Sequence, residues 1–422
     1  MAAERLRIAM LSVHSCPVGE LGSKDTGGMS VYIRELAREL GSQGHSVDIY
    51  TRAHDPADDQ IAELGENARV IHLRVGEVER MHKLVLYTHL ADIACSVENF
   101  RKSNNLQYDL IHSHYWLSAW VGRHIQVWWD VPHITMFHTL GAVKNAVSIG
   151  EDEPELRLVN ERELVGSCHR IIAATEREKD DLTRHYRASP EIIGVVPCGV
   201  NLKLFQGVDR ETARRHLGIN GSGMVLFVGR VEPLKGIDRL IRAMPSLYRE
   251  WGLKLMVVGG DSDGQPEVES LQSLSRSLGI QDNVTFAGTV RYEDLPMYYS
   301  AADVCVVPSY YESFCLVALE SLACGTPVVA TRVGAMESVI RHGQNGYLLE
   351  DNDPNRLADS IAALLSRPPA HKKSAEAIRA SVCRFSWSNV AKAIAREYRA
   401  VLGEQATSAA YSSAFSYHKV FE

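Results

Sequence analysis

Short apolar runs of strand length alternate with amphipathic helical patterns along most of this 422-residue chain. Such alternation is typical of parallel sheets whose strands are joined by crossover helices. A first series of apolar runs lies at 7–13, 46–51, 69–75, 109–113, 133–137, 170–175 and 192–197, and a second at 224–229, 253–259, 283–287, 304–308, 327–331 and 346–349. The sequence therefore predicts an α/β protein.

A polar, turn-rich segment at 199–223 separates the two series. Two doubly wound, Rossmann-like domains, 1–200 and 201–386, explain this division economically. The helical pattern at 387–402 is expected to pack back on the first domain, and 403–422 is expected to be a loose tail. Because open α/β sheets bind ligands at the carboxyl ends of their strands, we expect the functional residues in a cleft between the domains.

Composition limits the partners of this chain. Acidic side chains outnumber Lys and Arg by 52 to 45, so general affinity for nucleic acid is not expected and any bound anion needs a local cluster of cations. The eight cysteines show no Cys-x-x-Cys spacing, which indicates free thiols in a reducing compartment. No transmembrane segment or signal peptide is apparent. The sequence predicts a cytoplasmic protein with small-molecule partners and leaves its oligomeric state open, a homo-oligomer included.

Two strand-end loops carry candidate phosphate-binding groups. Gly27 and Gly28 open an amphipathic helix, where a ligand can approach the backbone closely, although an ordinary loop explains this pair equally well. The second loop carries Arg230 and Lys235, and two cations there can grip a phosphate. A solvated surface pair is the alternative for these two cations.

The third loop, 309–320, follows an apolar strand and contains Glu312 and Glu320. Eight positions correspond to ~12 Å of helical rise, too far for the carboxylate pair of a glycosidase, so the two acids would contact opposite ends of one extended ligand. The helix start between them offers the N–H groups of Leu316 and Val317 to a phosphate. The alternative is that Glu320 is a buried helix acid and Glu312 a surface acid.

In their order and spacing, these three loops resemble those of the retaining GT-B glycosyltransferases of family 4, and the similarity extends to about residue 402. Within it, 108–118 and 138–145 resemble most closely the inositol-phosphate N-acetylglucosaminyltransferases of mycothiol synthesis, followed by the sucrose-phosphate synthases. The resemblance implies a GT-B fold, in which two Rossmann-like domains face each other across a cleft. It also implies retaining, metal-independent transfer of a hexose or N-acetylhexosamine from a nucleotide diphosphate sugar, with UDP-GlcNAc or UDP-Glc as the expected co-substrate and no cofactor required.

The resemblance also implies roles for individual residues. Arg230 and Lys235 would bind the diphosphate, Glu320 the ribose and Glu312 the sugar hydroxyls, while His138 would face the donor sugar. The catalytic set is thus His138, Arg230, Lys235 and Glu312; the other donor-binding positions are Gly27, Gly28, Ser313, Phe314, Cys315, Leu316 and Val317; the acceptor-binding positions are Ser30, Lys83, Tyr115, Thr139, Lys144 and Arg157. Cys315 stands where the family usually has Gly, and Ser30 where the mycothiol enzymes usually have Asn.

The cations among the acceptor-binding positions predict a phosphorylated acceptor such as inositol phosphate, with fructose 6-phosphate as the alternative. Lys144 and Arg157 could instead pair with the acidic residues around Gly150, Glu153 among them. Since nothing in the sequence places Glu312 as a nucleophile, attack is expected on the face that the leaving phosphate occupies.

Other interpretations remain open at this point. Asp261 and Asp263 could bind a divalent ion beside a diphosphate, but we interpret them as a Gly-flanked turn. His112 and His114 could form half of a zinc site that has no further ligands at usable spacing. Two other classes of protein also use doubly wound domains. An NAD-dependent oxidoreductase would need the missing Gly-x-Gly-x-x-Gly loop, and a non-catalytic sugar-binding protein usually carries the missing export signal.

Overall fold

The computed structural model describes residues 5–19, 26–77, 81–219, 223–260, 266–366 and 371–417. Over these residues the strands form two sheets. The first contains β1 (Arg7–Leu11), β2 (Ser46–Arg52), β3 (Ile61–Gly65), β4 (Ala68–Leu73), β5 (Leu110–His114), β6 (His133–Met136), β7 (Arg170–Ala173) and β8 (Ile193–Val195), in the order β3-β4-β2-β1-β5-β6-β7-β8. The second contains β9 (Met224–Val228), β10 (Lys254–Val258), β11 (Val284–Gly288), β12 (Val304–Val307), β13 (Val328–Thr331) and β14 (Gly346–Leu349), in the order β11-β10-β9-β12-β13-β14.

Helices join these strands. In the N-terminal domain they are α1 (Gly28–Ser42), α2 (Lys83–Thr88), α3 (Leu90–Ser103), α4 (Tyr115–Trp129), α5 (Gly141–Val147), α6 (Glu155–Val165) and α7 (Glu176–Tyr186). After β8 come α8 (Arg210–His216), α9 (Ile237–Trp251), α10 (Pro266–Ser277), α11 (Leu295–Ala301), α12 (Leu316–Ala323), α13 (Met336–Val339), α14 (Pro354–Leu365), α15 (His371–Ala380) and α16 (Trp387–Tyr417). No helix of the described segments is both long and apolar enough to cross a lipid bilayer.

The strand order reverses beside β1 in the first sheet and beside β9 in the second. Ile8 of β1 pairs in parallel with both Val47 and Leu110, so β1 is a central strand with neighbours on both sides. Loops at the carboxyl ends of strands diverge at such a reversal and leave a crevice for ligands. The predicted fold class, α/β with two doubly wound domains across a cleft, is confirmed.

Two features differ from the sequence-based prediction. Strand β3 was not predicted: it pairs antiparallel with β4 at the sheet edge, and only Leu64 among its five residues is buried, which leaves no apolar run to detect. Over 403–417 the expected loose tail is instead helical, because α16 continues to Tyr417. A segment with several alanines follows the packed part of α16, and alanine extends an existing helix easily. Residues 418–422 lie outside the described part of the chain.

The C-terminal helix α16 begins after the second sheet but packs against α1 of the first domain. The Trp387 ring lies 5.3 Å from the Tyr32 ring, and Arg170 of β7 forms an ion pair with Glu397. The chain therefore crosses between the domains twice. The two crossings lie side by side, since the Val200 N–H donates to the Phe385 carbonyl at 2.8 Å.

Candidate active site

A cavity of about 430 Å³ lies between the two domains, at the carboxyl ends of their strands. Both domains contribute residues to its wall. Of the predicted site residues, the wall contains Gly27, Gly28, Lys83, Tyr115, His138, Thr139, Lys144, Arg157, Arg230, Lys235, Glu312, Ser313, Phe314, Cys315, Leu316, Val317 and Glu320. The structure thus brings together residues that are far apart in sequence, as a two-domain binding site requires.

The first turns of α1 and α12 face each other in this cavity. A Cβ added to Gly28, the first residue of α1, would lie 3.7 Å from Leu316 Cδ1 at the start of α12, an ordinary contact distance. First-turn N–H groups lack partners within the helix and carry a partial positive charge, so two helix starts in one cavity favour an anion. Gly27 has an extended φ of −162° and open space around it, so the protein's own packing does not explain this pair of glycines.

Lys235 lies against the loop that follows β12, and its side chain is 19% exposed. Its Nζ donates to Glu312 Oε1 at 2.8 Å, and Ser309 Oγ donates to the same oxygen at 2.7 Å. Burial lowers the pKa of Lys235, but the nearby Glu312 and Glu232 carboxylates and the hydrogen bond to Glu312 together raise it above its ordinary value, so the ammonium keeps its charge. The next residue, Gly236, has φ of 64° and lies where an added Cβ would be 2.2 Å from the Pro308 carbonyl oxygen, so only glycine fits this close approach.

Arg230 lies at the edge of the cavity. Its side chain is 51% exposed, and Nη2 donates to Glu232 Oε1 at 3.1 Å. An exposed pair of this kind contributes little to stability. The guanidinium is therefore free to exchange this contact for a phosphate.

Glu320 is buried on α12, and its carboxylate accepts two hydrogen bonds. Tyr292 OH donates to Oε1 at 2.9 Å and Tyr299 OH to Oε2 at 2.8 Å. Burial raises the pKa of Glu320 to about 7, although both tyrosine hydroxyls act to lower it. Glu320 is thus a buried helix acid with neighbouring partners, as the alternative interpretation held, and it also lines the cavity. Glu312, by contrast, is no surface acid, since its side chain is only 11% exposed.

Cys315 caps α12 in a conformation that side chains rarely adopt. Its φ is 82° and its ψ is 87°, in the region that favours glycine. The backbone therefore explains why glycine suits this position, while the cysteine side chain takes up space inside the cavity wall. Burial raises the pKa of its thiol well above the ordinary value.

His138 follows β6 with φ of 61°, another left-handed backbone position in the cavity wall. Its Nε2 lies 2.9 Å from His114 Nδ1, so the two rings share a hydrogen bond. Burial lowers the pKa of His138 to about 3. The imidazole is therefore neutral near pH 7.

Arg157 organises the side of the cavity that the N-terminal domain forms. This fully buried guanidinium donates from Nε to Glu161 Oε1 at 2.7 Å and from Nη2 to the Thr139 carbonyl at 2.6 Å, and its Nη1 lies 2.9 Å from Glu153 Oε2. Its Cζ lies 4.8 Å from the centre of the Tyr115 ring. These contacts indicate that Arg157 holds the neighbouring segments of the site in position, in addition to providing positive charge.

Two lysines complete this cationic side. Lys83 Nζ lies 5.3 Å from the centre of the same Tyr115 ring, and Lys144 Nζ forms an ion pair with Glu153. The pairing of Lys144 and Arg157 with Glu153 is the alternative that the sequence left open. Lys144 and Arg157 thus share Glu153, and all three cationic side chains lie in the cavity wall.

Ser30 does not lie where the sequence predicted. Its side chain is fully buried beneath the cavity, and its Oγ lies 2.5 Å from Ser15 Oγ. Ser30 occupies a position on α1 that faces inward, as the buried neighbours Val31 and Ile33 show. A direct acceptor contact from Ser30 is therefore replaced by support for the loop at Ser15.

The cavity wall also contains residues that the sequence analysis did not select. They include His14, Glu153, Gly259, Gly260, Thr289, Tyr292 and Tyr311. His14, Gly259 and Thr289 closely follow β1, β10 and β11, so the strand-end rule could have found them. No local signal indicates Tyr292, because its role depends on contact with Glu320 from another segment.

Four residues were considered as metal ligands from the sequence: Asp261, Asp263, His112 and His114. Asp261 and Asp263 lie outside the described residues. Where the chain is described, no group of three or more His, Cys, Asp or Glu side chains is arranged to hold a metal ion. Nδ1 of His112 bonds to Tyr398 OH at 2.7 Å, and Nδ1 of His114 is shared with His138.

Comparisons with known proteins agree with this architecture. The profile of the family "Glycosyltransferase Family 4" matches residues 26–204, and that of "Glycosyl transferases group 1" matches residues 209–381. A D-inositol 3-phosphate glycosyltransferase of Corynebacterium diphtheriae is 40% identical, over 93% of this chain and 94% of its own. D-inositol 3-phosphate glycosyltransferase 2 of Catenulispora acidiphila is 42% identical, over 93% of this chain and 94% of its own.

Solved structures show the same fold. Sucrose-phosphate synthase from Thermosynechococcus elongatus is similar with a TM-score of 0.86 and 33% identity, over 95% of this chain and all of that one. The Anabaena protein HepE, solved in complex with UDP and glucose, has a TM-score of 0.72 and 20% identity, over 93% of this chain and 99% of its own. These matches favour a transferase over the dehydrogenase and sugar-binding alternatives.

Proposed function

The chain belongs to the GT-B glycosyltransferases that join a family 4 domain to a group 1 domain, and on this premise we propose that it transfers a hexose or N-acetylhexosamine from a UDP-sugar to a phosphorylated inositol. One observation carries the proposal: a single cavity has anion-binding groups of both domains on its opposite sides. The names of the similar enzymes support the inositol phosphate acceptor. The eight cysteines are unpaired, which agrees with a cytoplasmic enzyme.

On the donor side, Arg230, Lys235 and the first-turn N–H groups of α12 hold the diphosphate. They lie where negative charge grows as the glycosidic bond breaks, and such preorganised donors lower the barrier of that step. Glu320 accepts hydrogen bonds from the ribose hydroxyls. Glu312 uses Oε1 for Lys235 and Ser309, so its second oxygen serves the sugar hydroxyls.

We propose that the reaction retains the configuration of the anomeric carbon. The bond between that carbon and the phosphate oxygen breaks, and the acceptor oxygen bonds to the carbon on the same face. The acceptor proton passes to the leaving phosphate oxygen, so no protein nucleophile is needed. With its Oε1 engaged by Lys235 and Ser309, Glu312 acts in this proposal as a hydrogen-bond acceptor for the donor sugar and forms no bond to the anomeric carbon.

Charge neutralisation by side chains and helix N–H groups predicts turnover without a divalent ion. Activity should persist after treatment with EDTA and dialysis. A requirement for Mn²⁺ or Mg²⁺ would contradict this, and would direct attention to Asp261 and Asp263.

On the acceptor side, Arg157, Lys144 and Lys83 bring three cationic side chains to the cavity wall, which suits a phosphate. Fructose 6-phosphate is the second candidate, since the solved structure at 33% identity is a sucrose-phosphate synthase. Either acceptor offers a phosphate and a neighbouring hydroxyl.

Steady-state release of UDP with a panel of acceptors tests the function. UDP-GlcNAc and UDP-Glc should each be combined with inositol phosphate, fructose 6-phosphate and their dephosphorylated forms. We expect kcat/KM to be at least roughly tenfold higher with a phosphorylated acceptor, the effect of one charge-assisted hydrogen bond. NMR of the product would establish its anomeric configuration.

A matched pair of variants separates the acceptor site from general surface charge. Lys144→Met should raise KM for the phosphorylated acceptor. Lys102→Met is the control, because Lys102 also pairs with a glutamate, Glu98, at 3.0 Å, but lies on α3 outside the cavity wall. Equal kcat/KM for phosphorylated and plain acceptors, or equal effects of the two variants, would contradict the phosphate site.

A further inference from the structure

Three histidines form a buried cluster that reaches the cavity wall at His138. His112 and His114 lie two positions apart on β5, so both side chains point to the same face of the sheet, and their ring centres are 4.3 Å apart. The His138 ring centre lies 5.1 Å from that of His114. Of the three, only His138 lines the cavity.

All three rings are neutral near pH 7, because burial lowers the pKa of His112 and His138 to about 3 and that of His114 well below its ordinary value. A neutral imidazole carries one N–H and one lone pair. The 2.9 Å contact between His114 Nδ1 and His138 Nε2 therefore contains one proton, which belongs to either ring.

The other nitrogen of His114 decides between these two arrangements. His114 Nε2 is buried and has no hydrogen-bond partner among the described residues. If His138 donated, the proton of His114 would sit on this nitrogen as a buried donor without an acceptor. If His114 donates from Nδ1, Nε2 is a lone pair, and unsatisfied buried acceptors are tolerated better than unsatisfied N–H groups.

We propose that His114 is a positioning residue for His138, and that it fixes the His138 tautomer that carries its proton on Nδ1. The Nδ1 of His138, a residue of the cavity wall, is then an N–H donor and not a lone pair. The consequence of this tautomer is that the His138 side chain donates a hydrogen bond to a sugar oxygen. This consequence rests on the proposed sugar transfer, whereas the tautomer itself does not. Stabilisation of positive charge at the anomeric carbon would fall to the His138 main-chain carbonyl.

Spectroscopy of the wild-type protein tests the tautomer without any substrate. Long-range ¹H–¹⁵N correlation spectra report which imidazole nitrogen carries the proton, and a spectrum of His138→Gln assigns the signals. We expect a protonated Nδ1 and an unprotonated Nε2 in His138. A proton on Nε2 would overturn the inference, whether or not the chain transfers a sugar.

Variants test the consequence for turnover. His114→Leu removes the donor and should lower kcat by roughly tenfold, the loss expected when one orienting hydrogen bond disappears, with KM for the donor little changed. His114→Asn should restore most of kcat, because its amide N–H can occupy the place of Nδ1–H. Rescue of this kind would not follow from a purely structural role.

His133→Leu is the matched control for burial. His133 is also fully buried, bonds to Ser113 Oγ at 2.6 Å and, within the described part of the chain, has no hydrogen bond or ring contact with His138. We expect kcat of this variant to stay within about threefold of wild type. Equal loss of kcat in His114→Leu and His133→Leu, or failure of His114→Asn to restore it, would overturn the inference. Absence of turnover by the wild type would instead contradict the proposed function and leave the spectroscopic test standing.

Discussion

Replacement of Arg230 by alanine should separate donor binding from folding. The guanidinium is half-exposed and contacts Glu232 at 3.1 Å, and Glu232 is itself 29% exposed. Water can therefore solvate both the gap and the remaining carboxylate. We expect the free energy of unfolding to change by less than about 1 kcal/mol, which for a domain of this size is a Tm shift below about 3 °C.

The effect on the reaction should be much larger. Arg230 is a charged donor in a preorganised site, and loss of one such donor typically lowers turnover by ~10² to 10³-fold, or about 2.7–4 kcal/mol of transition-state stabilisation. Lys235→Ala should lower kcat/KM similarly but also destabilise the fold, since it leaves the buried Glu312 carboxylate without its cation. The two variants should therefore show a similar loss of kcat/KM, but only Lys235→Ala should lower the free energy of unfolding substantially.

UDP release under steady-state conditions, together with thermal unfolding, measures both quantities. Arg291→Ala is the matched control, because Arg291 also contacts a neighbouring acid, Asp294 at 2.9 Å, but lies outside the cavity wall. Its kinetics should equal those of the wild type. If kcat/KM of Arg230→Ala stays within threefold of wild type, Arg230 does not hold the leaving diphosphate.

Three further variants test the rest of the site. Cys315→Gly relieves backbone strain of about 1–3 kcal/mol, but it also removes a small buried side chain and makes the unfolded chain more flexible. These effects oppose each other, so Tm should change by only a few degrees, while the range of accepted UDP-sugars should broaden. Unchanged kinetics with several donors would show that the Cys315 side chain does not limit the donor pocket. Because burial raises the pKa of Glu320 to about 7, its carboxylate becomes protonated as the pH falls from 8 to 6, and the Kd for UDP-Glc, whose phosphates keep their charge over this range, should rise when measured by calorimetry. Glu320→Gln should remove this pH dependence, and a wild-type Kd that is constant with pH would contradict a ribose contact. Arg157→Ala should lower the free energy of unfolding by about 3–5 kcal/mol, since it leaves the fully buried Glu161 without its cation, and chemical denaturation that shows less than 1 kcal/mol would contradict a supporting role.

The loops that we propose to bind the donor could be located from the sequence, because each follows an apolar run of strand length. Lys235 and Glu312 each lie in the loop after a strand, and strand ends of a doubly wound sheet meet at one edge. What the sequence could not show is that these two side chains bond to each other, 77 positions apart. That contact fixes the Lys235 side chain in place, whereas the sequence alone also allowed a solvated surface cation.

The acceptor side was less predictable, because its geometry depends on helix phase and on tertiary contacts. Ser30 and Gly28 are two positions apart, yet one is buried and the other faces the cavity. Glu161 carries no motif, but it accepts bonds from Arg157 and from the Gly141 N–H. Composition indicates that cations are needed, whereas only the fold shows which carboxylates balance them.

Because α16 returns to the first domain, that domain is built from two segments that are far apart in the sequence. Val390, Ile394 and Tyr398 of α16 are all fully or almost fully buried. A fragment that ends near residue 200 would leave the surface of α1 beneath them open to water, and a fragment that begins there would carry those apolar side chains with nothing to cover them. The N-terminal domain is therefore a discontinuous unit, and expressing it alone requires residues 387–402 to be supplied, by fusion or as a separate peptide.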